Sequence, residues 1–120
     1  MGNPFVHIEL STSDLAAAKR FYRSLFDWKL EDMTMEGGTY TTVSVGKGTG
    51  GGMQAKMSPD QPTGWMPYVQ VDDVKRSLGK ARRLGAEVVF DFADSRGGQH
   101  VPVVAIHITG GAVGMVLLSL

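Results

Sequence analysis

The chain writes one structural order twice, and that repeat limits what it can fold into. A strand-like FVHIEL, the turn STSD and an amphipathic LAAAKRFYRSLFDW open it, and three β-rich segments follow. The series restarts at Trp65 with an offset near 59: VHIEL overlays WMPYV, SDL overlays DDV, and Leu25 overlays Leu84. Near the end of each half, Gly51-Gly52-Met53 overlays Val113-Gly114-Met115. A repeated supersecondary unit has the same face to bury each time it occurs, so it fixes architecture. The reading is βαβββ in tandem, an α+β fold whose two modules curl a mixed sheet around a cleft with the helices outside. A single domain spans residues 1–120: module one covers about 3–57, a linker (SPDQPTG) 58–64, and module two about 65–120.

Strand alternation divides the first strand into two faces. Val6, Ile8 and Leu10 are predicted beneath the helix, and Phe5, His7 and Glu9 look into the space enclosed by the other face. Ser13 is the expected helix cap, with Asp14 favourable at the positive helix end. Leu15, Ala18, Tyr22, Leu25 and Phe26 share the buried side; Lys19, Arg20 and Arg23 face water. In the second module Asp72 or Asp73 caps a helix that buries Val74, Leu78, Ala81 and Leu84, and Gly85 ends it. Strands are expected over 29–35, 39–45, 53–57, 65–71, 86–92, 101–109 and 113–120, with a loop at 93–100 and a turn at Gly110-Gly111.

Composition narrows the function classes. Twelve basic and twelve acidic residues cancel and form no basic stripe, which argues against nucleic acid and anionic membrane as partners. No apolar run approaches the length of a membrane span, and no basic, apolar leader is present; both favour a cytoplasmic protein. The absence of cysteine removes disulfides, thiolate catalysis and Cys-ligated metals. The Gly-rich GKGTGGG has no helix after it and is weak evidence for a phosphate site. Neither a nucleophile elbow nor a dinucleotide fingerprint occurs.

The run Ala18 to Trp28, A-x-x-F-Y-x-x-L-F-x-W, preceded by VHIEL and followed by a second βαβββ unit, resembles the vicinal oxygen chelate superfamily. That superfamily includes glyoxalase I, the bleomycin and fosfomycin resistance proteins and extradiol dioxygenases. The resemblance implies the tandem fold and, in metal-using members, four ligands: one near each module's first strand and one near each module's last. Here those positions fall on His7, Met66, Met53 (or, one residue on, Gln54) and Met115. The D-P-x-G turn before the last strand is replaced by Thr109-Gly110-Gly111-Ala112. One imidazole among thioethers is a poor set for a divalent ion. The expectation is therefore no metal and no other cofactor, with Met53, Met66 and Met115 as adaptable apolar wall.

His7 and Glu9 are the catalytic candidates, the imidazole as general base and the carboxylate as its orienting partner or as the base itself. Phe5, Met53, Met66, Tyr68, His107 and Met115 are candidate ligand contacts; His107 fits core or cavity equally, and His100 is read as solvated. Trp65 and Trp28 are read as packing rather than ligand stacking. Three readings stay open: a metal-free binding protein for a small aromatic or amphipathic molecule, a glyoxalase-like lyase or isomerase using His7 and Glu9, and an interaction module with a filled cavity. A homodimer is expected, on the argument that an apolar last strand at a sheet edge needs a cover.

Overall fold

The computed structural model describes residues 2–35, 38–56, 59, 63–91, 103–108 and 115–118, with side chains placed up to Glu87, residue 35 excepted. Most of the expected linker, the loop at 93–100 with His100, and the Gly110-Gly111 turn lie outside the described residues. The elements run β1 (Phe5–Thr12), α1 (Leu15–Leu25), β2 (Lys29–Met35), β3 (Gly38–Ser44), β4 (Gly51–Ala55), β5 (Gly64–Gln70), α2 (Val74–Arg83), β6 (Ala86–Asp91), β7 (Val103–Ile108) and β8 (Met115–Leu118). The α+β class and the doubled βαβββ order are those read from the sequence. Contacts gather the chain into two compact units, His7–Met66 and Met1–Val6 with Pro67–Leu120. Among the described residues no helix is long and apolar enough to cross a membrane.

In the unit His7–Met66 the strands lie in the order β2-β3-β4-β1, antiparallel except for β1 with β4. The parallel register sets Ile8 beside Gly51, Leu10 beside Met53 and Ser11 beside Gln54. A side chain on Gly51 would strike the Ile8 carbonyl, so the two backbones approach this closely only because residue 51 has none. Leu10, Val43 and Met53 form the buried core, and Leu15, Ala18 and Tyr22 of α1 pack on it. Each such buried apolar side chain contributes about 1.5–3 kcal/mol.

Helix α1 starts one residue later than expected. Asp14, not Ser13, is the cap, its carboxylate accepting from the Ala17 N–H at 3.0 Å. β1 runs on to Thr12, whose hydroxyl accepts from the Asp14 N–H and turns the chain there. The far end also departs from the expected stripe. Phe26 has left helical geometry (φ −120°) and is 44% exposed, while Leu25, the last helical residue, is 56% exposed. Lys19, expected in water, is half-buried and pairs with Asp32 at 2.8 Å.

In the other unit the order is β5-β8-β7-β6, with β5 and β8 parallel and a register shift in β6 between Val88 and Phe90. Asp73 caps α2, which lies against β6, β7 and β8 with Val74 and Leu78 buried. Leu84 is 76% exposed: α2 ends at Arg83, and Gly85 turns the chain away with φ +98°, open to glycine at little cost. Pro4 accepts from the Gln70 N–H and Asn3 donates to the Gln70 carbonyl, tying the N-terminal segment to β5. The expectation of an edge-exposed last strand is corrected here. β8 pairs with β7 on one side and β5 on the other, so it offers no free edge to a second copy.

Candidate functional site

β1, β3 and β4 together set four polar side chains on the sheet face opposite α1. Alternation puts His7 and Glu9 on the face away from Leu10, and the registers add Gln54 from β4 and, paired with Gln54, Tyr40 from β3. At the centre is Glu9, its side chain only 10% exposed. Its Oε1 accepts from the Tyr40 hydroxyl at 2.7 Å and lies 3.1 Å from His7 Nε2, while Oε2 accepts from Gln54 Nε2 at 2.8 Å. Burying a carboxylate without such donors would cost several kcal/mol, on the order of a desolvated charge. Both oxygens are instead held by protein groups.

The network also assigns the imidazole. His7 Nε2 lies 3.0 Å from the Tyr40 oxygen as well. A carboxylate only accepts, and the single Tyr40 hydrogen goes to Glu9, so Nε2 is the donor in both contacts. His7 thus carries its hydrogen on Nε2, and its side chain is 26% exposed. Carboxylate pairing of this kind fixes the orientation of a ring, which a general base needs.

Tyr40 reaches across β4 to do this, directly over Gly52. A Cβ at residue 52 would coincide with the phenol's outer atoms. The glycine therefore belongs to the site although it carries no chemistry.

Of the residues singled out from sequence, His7 and Glu9 come together. Met53 does not join them: it is fully buried in the core under α1, paired with Leu10 on the other face, and Gln54 takes the place facing Glu9. Phe5 is 60% exposed and belongs, with Tyr68, to the other unit. Met66 and Tyr68 are half-buried on β5. His107 and Met115 stand on β7 and β8 with their side chains outside the described residues. Tyr40 and Gly52 were missed; Tyr40 stands in a strand segment with no motif around it, and only the β3–β4 register reveals its reach.

Both Glu9 oxygens accept from protein groups, and the thioether of Met53 is on the other face. Among the described residues no group of three His, Cys, Asp or Glu could hold an ion.

The opposite face carries an aromatic cluster. Trp28 and Trp65 meet edge to face at 5.9 Å, Tyr22 lies 5.3 Å from Trp65, and the Trp65 Nε1–H donates to the Tyr22 hydroxyl at 3.0 Å. Both tryptophans are thus packed, as read from the sequence. Beside them opens a cavity of about 270 Å³.

The family profile described as Glyoxalase/Bleomycin resistance protein/Dioxygenase superfamily matches residues 5–105. The chain belongs to that superfamily. Among curated proteins it is 35% identical over 97 residues to CFP32 of Mycobacterium bovis, named provisionally as a glyoxylase, and equally to its Mycobacterium tuberculosis counterpart. The match covers 73% of this chain but 37% of those proteins, so the chain spans little more than a third of their length. Solved members of the fold include a hypothetical protein of Bacillus halodurans (TM-score 0.70, 15% identity, covering 100% of this chain and 96% of that one). Methylmalonyl-CoA epimerase of Mycobacterium tuberculosis is another (TM-score 0.65, 18% identity, covering 96% and 86%). At these identities the likeness is one of fold, and a fold of this kind hosts many chemistries.

Proposed function

We propose that this superfamily member binds a small organic molecule without a resident metal, holding the ligand's polar end at His7 and Tyr40. The observation that carries the reading is the threefold hydrogen bonding of Glu9 by His7, Tyr40 and Gln54. It spends the carboxylate on orientation, and the imidazole and phenol are the groups assigned to the ligand in this reading. The test is a small-molecule screen read by the His7 ring signals in a ¹H–¹⁵N spectrum, with and without a chelator. Saturable shifts that survive the chelator and weaken in Tyr40→Phe support the proposal. Shifts that need added Zn²⁺ or Ni²⁺ would sink it.

The fixed tautomer favours a second reading, proton transfer by a lyase or isomerase. A neutral imidazole with hydrogen on Nε2 carries its basic lone pair on Nδ1, and Glu9 stabilises the imidazolium formed when that lone pair takes a proton. The fitting substrates are carbon acids with a carbonyl beside the C–H bond. Incubation of pyruvate or a propionyl thioester in D₂O should then give enzyme-dependent deuterium uptake, lost in His7→Gln and reduced about 100-fold in Glu9→Gln. Uptake unchanged in both variants would remove this reading and leave the binding one standing.

A further inference from the structure

The cavity on the helix face is separate from the polar network, which lies across the sheet. Its walls are Ile8, Val43, Tyr22, Phe26, Trp28 and Trp65, and its volume is about 270 Å³. No charged side chain lines it. That is the build of a small-ligand pocket: apolar, aromatic and with few polar groups.

Besides Thr49, the walls carry a polar handle among the rings. The Tyr22 hydroxyl accepts from Trp65 Nε1 and gives its own hydrogen to no group among the described residues. It can therefore donate to an oxygen on a bound molecule. Such donors, set in an apolar wall, are what fix a ligand's orientation.

We propose that this cavity is a second binding site, for a planar, uncharged one- or two-ring aromatic bearing a hydroxyl or carbonyl oxygen. Each term follows from a wall: the aromatic rings call for a π-face, the missing charge for neutrality, the volume for two rings at most, and Tyr22 for an oxygen. Nothing in the proposal depends on His7 or Glu9, so the site stands or falls apart from the function proposed above.

The chain has two tryptophans, and both line this cavity, so their two indole N–H signals report on it alone. The probe is 1-naphthol, titrated into ¹⁵N-labelled full-length protein. Both indole signals should shift saturably with a dissociation constant on the order of 0.1 mM, as expected for a ligand of this size. 1-Naphthoate, which is charged, and cyclohexanol, which has no π-face, should shift them at least tenfold more weakly. Val45→Phe, which enlarges a side chain of the lining, should abolish saturation. Should that variant misfold, Tyr22→Phe decides: 1-naphthol binding should weaken several-fold while naphthalene binding holds. Equal binding of 1-naphthoate, no saturable shift, or indole signals that move on dilution without probe, meaning that a second copy fills the cavity, would each overturn the proposal.

Discussion

Tyr40 lies across Gly52 so closely that a side chain at residue 52 would occupy the phenol's own place. From there its hydroxyl reaches Glu9 at 2.7 Å. A residue with no side chain thus decides whether two others meet.

Gly52→Ala separates packing from propensity. Alanine in a strand should stabilise by roughly 0.5–1 kcal/mol through the backbone alone. Displacing Tyr40 strands a buried carboxylate's hydrogen bond at a cost of about 1–3 kcal/mol. The net expectation is destabilisation in urea melts, accompanied by a shifted His7 ring signal; a more stable variant with an unmoved signal would refute the arrangement.

Met53 and its neighbour Gln54 should respond in different ways. Met53→Ala opens a void in the core and should cost about 2–5 kcal/mol. Met53→Glu places a carboxylate under α1 and should largely abolish folding. Gln54→Ala removes only the donor to Glu9 Oε2 and should cost about 1–3 kcal/mol, with the His7 and Tyr40 signals moved. Equal sensitivity at both positions would mean that the β4 register is wrong.

Asp32 gives a pH signature. The Lys19 ammonium and then the Thr41 hydroxyl hydrogen-bond its carboxylate and hold it below its ordinary 3.8. A carboxylate depressed by folding contributes stability that is complete above the ordinary value and is lost as pH falls through the lower, folded one. Asp32→Asn should therefore melt lower than wild type at pH 7, and the two curves should converge in acid below 3.8. Curves that stay parallel across that range would rule out the linkage.

Removing metal should change nothing. Purified protein is expected to hold well under one equivalent of divalent ion, and its thermal midpoint should be indifferent to a chelator. A native ion would stabilise by a few kcal/mol, roughly, at large excess over its dissociation constant, and its loss would be plain.

Much of this was legible in the chain because periodicity and burial agree. The doubled βαβββ order, the packing of Trp65 under α1 and the pairing of His7 with Glu9 follow from alternation within single elements. What could not be read depends on register between elements. Whether Met53 or Gln54 faces Glu9 turns on one residue of β1–β4 pairing, and a one-residue slip inverts every side chain. Tyr40 enters only through β3–β4 pairing. The ends of α1 and α2 deceive for another reason: Leu25, Phe26 and Leu84 keep the helical spacing, but the helix stops before the last of them can face the sheet.

The interior place of β8 has a bearing on how the molecule comes off the ribosome. His7–Met66 closes on contacts within 60 consecutive residues, and it can fold while the rest is still being made. The other unit cannot: β5 emerges early yet waits for β8, some 45 residues later, to fill the gap between it and β7. Until then β5 shows a bare parallel edge to other nascent chains. Slow, long-range closure of this sort exposes a chain to misassembly. For this protein the vulnerable interval runs from the emergence of β5 to that of β8, and chaperone demand should be concentrated there.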